Sequence, residues 1–232
     1  MNSAYLRNPF YAALITADAP FAAVHGAARR FLPDIIPFAA VPQPNAEALA
    51  DLVPLLTPGE EVYITAEAGE AIDSISALTV VSTLPGLQMR FNAAPPHEEI
   101  DPMVVELSSE DTQAMLDLKA RAFPGYFGPR APELGRFFGV RDSATRRLIA
   151  MGGERLATHA DREVSAVCTD PEHLGQGHAA RIVRAVLRHQ ASLGTGSILH
   201  ATAANKRAIA LYQHLGFCIT GSINFVKLRR VE

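Results

Sequence analysis

The chain has no tryptophan, two cysteines in 232 residues, and no run approaching the roughly 18 apolar residues of a membrane span. Residues 1–13 are mixed and include Pro9, without the basic region and apolar stretch of a signal peptide. Neither a membrane nor export is therefore expected. Cys168 and Cys218 have neither disulfide-framework nor zinc-site spacing, which points to a reducing cytoplasm. Both lie in apolar, β-like contexts and read as small buried hydrophobes rather than reactive thiols. The histidines after residue 158 (His159, His173, His178, His189, His200, His214) share no ligand spacing, so no metal site is expected.

One charge sign is also missing from a long stretch. Between Glu172 and Glu232 there is no acidic residue, while Arg181, Arg184, Arg188, Lys206, Arg207, Lys227, Arg229 and Arg230 are basic. The net charge is −3, so the compensating acidic excess lies earlier in the chain. Such asymmetry suits an anionic partner. The interleaved aromatics of a nucleic-acid module are lacking, and a phosphorylated cofactor fits better than nucleic acid.

The sequence divides near residues 92–99, where Pro95-Pro96 and flanking acidic residues read as an exposed connector. Residues 1–96 are proline-rich and should hold short elements: a helix over 44–56 with Asn45 as N-cap, and strands over 62–65, 77–82 and 87–92. Residues 97–232 show sharper signals. A strand over 104–107 leads to a helix capped by Ser108 or Ser109, with Met115, Leu118 and Ala122 at helical spacing. The Pro/Gly-rich, aromatic stretch 123–134 is a loop or broken helix that borders a ligand. Strands follow over 137–141, 147–156 and 163–169, then a helix over 177–192 with an apolar and a basic face. A strand over 197–201, a helix over 205–214 and strands over 217–220 and 223–228 close the pattern. Strand and helix alternate, and hairpins intervene, so the fold class is α/β with a mixed sheet.

Two constellations carry chemistry. In the first, the apolar strand ending at Val167, Cys168 and Thr169 breaks at Pro171. It then passes through Leu174, Gly175, Gln176 and Gly177 into a helix opening with His178, Ala179 and Ala180. Bare N–H groups at a helix N-terminus make an anion cradle, suited to a diphosphate. The same residues satisfy a loose G-x-G-x-x-A dinucleotide pattern, but the ribose-binding acid expected ~20 positions onward is absent. In the second, Asn205 and Tyr212 lie two turns apart on one helix face, with Ala208 and Ile209 between them. A tyrosine with its hydroxyl at the rim suits a proton donor, or simply packs.

Together these resemble the GNAT superfamily of acyl-CoA-dependent N-acyltransferases. The wording V-C-T-D-P-E-H-x-G-x-G followed by N-x-x-A-I-x-L-Y-x-x-L-G-F is similar to the C-terminal domains of glycine-type N-acyltransferases. The resemblance spans about 104–228. It implies a GNAT fold in residues 97–232, with residues 1–96 an added α/β half, a degenerate half-fold that walls the acceptor site. It implies acetyl-CoA, or another acyl-CoA, as cofactor, with a small-molecule or peptide amine as acceptor; a homodimer stays open. Main-chain N–H groups of Gly175, Gln176, Gly177, His178, Ala179 and Ala180 would bind the diphosphate. Val167, Cys168 and Thr169 would pair with the pantetheine arm, which Asn205 and Ala208 also contact. Tyr212 would protonate the departing thiolate. Glu163 and Glu154 are the candidate general bases, and Ser165 could orient a water. Transfer would be direct, with N–H groups near Val167 holding the developing oxyanion. Leu174 departs from the family's Arg or Gln, removing a charge-assisted contact of roughly 1.5–3 kcal/mol. A non-catalytic acyl-CoA-binding module is the alternative.

Overall fold

Eight strands form one mixed sheet in a computed structural model that describes residues 7–70, 72–95, 101–125 and 127–232. In chain order they are β4 (Glu61–Glu67), β5 (Leu78–Phe91), β6 (Val104–Leu107), β7 (Phe137–Arg141), β8 (Leu148–Ala157), β9 (Asp161–Thr169), β10 (Gly196–Thr202) and β11 (Phe217–Arg230). Their spatial order is β4-β11-β5-β10-β9-β8-β7-β6. Every neighbouring pair is antiparallel except β9 with β10. That pair needs a crossover, supplied by the long amphipathic helix His178–Ser192.

The mixed α/β class expected from the sequence is the one observed. The strands expected over 77–82 and 87–92 are one strand, β5, and those over 217–220 and 223–228 are likewise one strand, β11. The two pair with each other from Phe217↔Phe91 to Arg230↔Leu78; Thr220 is the extra residue of a bulge between Ile219 and Gly221, and the strand runs on through Gly221, paired with Gln88, where a turn was expected. Pro85 is tolerated because β10 stops opposite Gly86. Gly86 itself leaves room for the Phe225 ring, which a Cβ there would meet at 2.7 Å.

A three-stranded sheet, β1 (Ala22–His25), β2 (Ala28–Phe31) and β3 (Ala39–Ala40), precedes these strands. The helices are α1 (Pro9–Leu14), α2 (Ala46–Leu52), α3 (Thr112–Ala122), α4 (His178–Ser192) and α5 (Lys206–His214). Asn45 does cap α2, accepting from the Ala48 N–H at 2.9 Å. The helix is shorter than expected, giving way to a 3-10 turn at Val53–Leu55, where Pro54 lacks an N–H. Ser108 is the cap before α3, in a reciprocal box with Asp111.

On one face of the sheet α4 buries Ile182, Val183, Val186 and Leu187 against Val140, Ile149, Val164 and Leu199. On the other, Met115 and Leu118 of α3 pack with Leu107, Phe137, Met151 and Cys168. Phe10, Phe31, Ile36 and Phe38 from the N-terminal region join Leu134, Leu156 and Phe225 in a further cluster. A cut at 96/97 would therefore run through shared sheet and shared core. Of the connector expected at 92–99, residues 96–99 lie outside the described residues. No helix among the described residues is long and apolar enough to cross a membrane.

Candidate active site

The parallel pairing of β9 with β10 lasts three residues, Asp161 to Glu163 against Gly196 to Ile198, and then the strands part. Beyond the fork β10 stays with β5 and β9 with β8. At the fork β9 carries one extra residue between the pairs Met151↔Cys168 and Gly153↔Ser165. Ala166 absorbs it at φ +53°, a backbone state that a residue with a Cβ adopts at a cost. Such bulges re-aim main-chain groups out of the ladder. A cleft of about 220 Å³ opens here. Val164, Ser165, Ala166 and Val167 line one side, with Asn205, Ala208 and Tyr212 on the other.

At the end of β9, Asp170 leads into a 3-10 turn, Pro171–His173, and then the glycine loop. Gly175 and Gly177 take φ +81° and +76°, and a Cβ at either would meet nothing within 4 Å. These glycines are required by backbone conformation, and they leave open space above the loop. Gly177 is the N-cap of α4 and makes no side-chain cap bond. The first amides of the helix, from His178 to Ala180, have no intrahelical carbonyl within reach. That is the donor set an anion needs. The His178 ring does not join it. It is 3% exposed, both ring nitrogens lack a hydrogen-bond partner among the described residues, and burial aided by Arg181 and His173 lowers its pKa. Arg181 is held by Asp101 at 2.7 Å. Leu174 is 49% exposed at the rim, so no side chain at that position supplies charge.

Cys168 is buried toward α3, and burial pushes its thiol up to about 11. It behaves as the small hydrophobe expected. Cys218 does not: it is exposed, as are Ile219 and Thr220 beside it in β11. Asn205 caps α5 by accepting from the Ala208 N–H at 3.1 Å, which leaves its Nδ2 as the group free to donate. Tyr212 packs edge-on against Phe217, with ring centroids 6.0 Å apart. Burial, aided by the nearby Glu163 carboxylate, pushes its phenol up to about 12, so it carries its proton throughout the neutral range.

The two candidate carboxylates are both saturated. Glu163 is fully buried, and Arg155 grips it twice, Nε to Oε2 at 2.8 Å and Nη2 to Oε1 at 2.6 Å. His200 Nδ1 lies 2.7 Å from the same Oε1. Burial raises the Glu163 pKa, but Arg155 and His200 outweigh it and hold the carboxyl at about 2. Arg155 and His200 face the cleft. Glu154 also borders it, yet is 1% exposed and accepts from the Arg136 N–H at 3.0 Å, Arg162 at 3.4 Å and Gln190 at 3.1 Å.

The far wall of the cleft is aromatic and includes Phe38, Tyr63, Phe123 and Phe127. Lys119, on α3, also borders it. Sequence reasoning missed Lys119, Arg155 and His200. A signal existed for the first two. Lys119 interrupts the apolar stripe of Met115, Leu118 and Ala122, and Arg155 falls beside Glu163 once the β8–β9 hairpin is drawn.

Residues 138–226 match the family described as FR47-like protein. Among solved structures, the chain is 32% identical to a candidate acetyltransferase from the GNAT family of Novosphingobium aromaticivorans DSM 12444. That match covers 98% of this chain and 99% of the other, with a TM-score of 0.89. A GCN5-related N-acetyltransferase from Kribbella flavida shares the fold at 17% identity, with coverage of 99% and 95% and a TM-score of 0.64. So does a tandem GNAT protein from the clavulanic acid biosynthesis pathway, at 14% identity, coverage of 89% and 78%, and a TM-score of 0.57. No curated protein matches the chain. The chain belongs to the GNAT family, and its fold is that of enzymes that move acyl groups from acyl-CoA.

Proposed function

We propose that the protein transfers an acyl group, acetyl in the first instance, from acyl-CoA to a primary amine by direct attack. The observation that carries this reading is the fork between β9 and β10, bulged at Ala166 and faced by a half-buried, protonated Tyr212. In this reading the amides from Gly175 to Ala180 hold the diphosphate, and the divergent ends of β9 and β10 accept the pantetheine arm. Asn205 donates to that arm through Nδ2. Main-chain N–H groups at the bulge near Val167 stabilise the developing oxyanion. Tyr212 gives its proton to the departing sulfur. The aromatic wall excludes water from the thioester. The saturation of Glu154 and Glu163 makes them positioning groups for Arg155, His200 and the Arg136 backbone, not proton acceptors.

The test pairs binding with turnover. Calorimetry measures coenzyme A affinity. Thiol release from acetyl-CoA is followed with 2-phenylethylamine, L-phenylalanine, spermidine and a short peptide with a free N-terminus. Tyr212→Phe should lower kcat about 100-fold or more while leaving the Kd for coenzyme A within about twofold. Binding without thiol release from any amine would replace this reading with a non-catalytic acyl-CoA module. An unimpaired Tyr212→Phe variant would remove the proton-donor role.

A further inference from the structure

We propose that Lys119 is the group that takes the proton from the acceptor amine, acting from the wall of the cleft where both buried carboxylates are already committed. This rests on the acyltransfer reading above and names a residue that neither the glycine loop nor the Tyr212 helix contains.

Lys119 follows Leu118 on α3, and its position in the helical stripe turns its stem inward; the residue is 7% exposed. The residue lines the cleft together with residues 164–167 and Tyr212. Its Nζ donates to the Phe123 carbonyl at 2.8 Å and stands 4.2 Å from the centroid of the Phe123 ring. No carboxylate among the described residues lies within ion-pair distance of it, so none of them holds the proton. The groups facing it are Cys168 from β9 and Arg155 from β8. Burial, aided by Arg155 and opposed by Cys168, brings its pKa down to about 8. Near pH 8 about half the population is therefore neutral. One N–H satisfies the Phe123 carbonyl, and the lone pair is left for a proton.

The alternatives on the same wall are occupied. Glu154 accepts three hydrogen bonds, Arg155 is locked to Glu163, and His200 spans Glu163 and Gln88 at 2.7 and 3.0 Å. In the step itself the acceptor ammonium loses an N–H bond and Lys119 Nζ gains one. The freed amine forms its bond to the thioester carbon, the C–S bond breaks, and the Tyr212 proton goes to sulfur. The second proton lost by the acceptor nitrogen restores Tyr212, and Lys119 returns its own to solvent.

The experiment compares wild type, Lys119→Arg and Lys119→Cys. The last is built on Cys218→Ser and treated with 2-bromoethylamine to regenerate an amine of weaker basicity. The pH dependence of kcat is measured with acetyl-CoA and the fastest of the four amines above. Coenzyme A affinity and thermal unfolding are recorded alongside. Lys119→Arg keeps the charge and a donor toward Phe123 but cannot deprotonate. It should lose about 100-fold in kcat near pH 7.5, with its rising limb displaced to higher pH. The aminoethylated cysteine should recover activity with the limb displaced to lower pH. Unchanged coenzyme A affinity separates both results from damage to the cofactor site. Should Lys119→Arg not fold, the aminoethylated variant decides. A wild-type limb and rate in Lys119→Arg would overturn the proposal, as would failure of the regenerated amine to recover activity. So would an acetyl adduct on Lys119 by mass spectrometry after turnover. Absence of turnover with all four amines would remove the acyltransfer reading and this inference with it.

Discussion

Asp18 shows how strongly burial governs single residues here. It is 2% exposed, and one oxygen accepts from the Ala157 N–H at 2.9 Å. Burial pushes its carboxyl up to about 7, against the Ala157 bond and Arg162. Its folded pKa lies above the ordinary 3.8, so the folded state is favoured at low pH and loses that advantage as pH rises toward 7. Asp18→Asn should therefore be more stable than wild type, by an amount that grows from about pH 4 to 7 and then levels. The expected gain at pH 8 is on the order of 2–4 kcal/mol, read by urea unfolding across that range. A constant difference would mean that the Asp18 carboxyl titrates alike in the folded and unfolded chain, and burial does not perturb it. Glu163 has the opposite sign: its pKa is depressed to about 2, so its contribution is lost only as pH falls below the ordinary carboxylate range. At this scale Tyr212 and Asn205 were legible in the sequence because their spacing lies within one helix. Glu163 was legible as a residue but not as a locked one. Its partners come from β8 and β10, and a carboxylate gripped twice by Arg155 and bonded to His200 is a weak base.

Among elements, the start of α4 is where sequence and geometry agree most closely. Glycines at 175 and 177 imply left-handed backbone, and both adopt it. A methyl at 177 would meet nothing in the protein, so the stability cost of Gly177→Ala is conformational, roughly 1–2 kcal/mol. In the proposed binding mode its cost to binding is larger, because the methyl projects into the open space proposed for the diphosphate. The expected outcome is a fall of a few degrees in Tm, with the Kd for coenzyme A raised tenfold or more. An unchanged Kd would place the diphosphate elsewhere. The strand pairs β5 and β11 were not legible in this way. Pro85-Gly86 and Gly221-Ser222 look like turns in one dimension, and only cross-strand pairing reveals a proline beyond the end of β10 and a continuous strand that follows a bulge at Thr220.

In the whole molecule, residues before the connector complete both the sheet and the cleft. β5 lies between β10 and β11, and Ile36, Phe38, Tyr63 and Leu84 line the cleft. A chain of residues 97–232 would expose the edges of β10 and β11 and the apolar surface around Phe225. It should fail to unfold cooperatively by circular dichroism, and co-expression with residues 1–96 should restore a single transition. Independent cooperative folding of 97–232 would show that the shared sheet is dispensable. Local sequence determined α2 to α5 and the glycine loop, because 3.6-residue periodicity and φ preferences are properties of neighbours in the chain. Tertiary structure alone decided that β5 enters the sheet and that Arg155 neutralises Glu163. It also decided that the lysine in an apolar helical stripe borders the cleft at the fork of β9 and β10. Those outcomes depend on which distant surfaces are buried together, and burial sets both the pairing of strands and the charge of the groups between them.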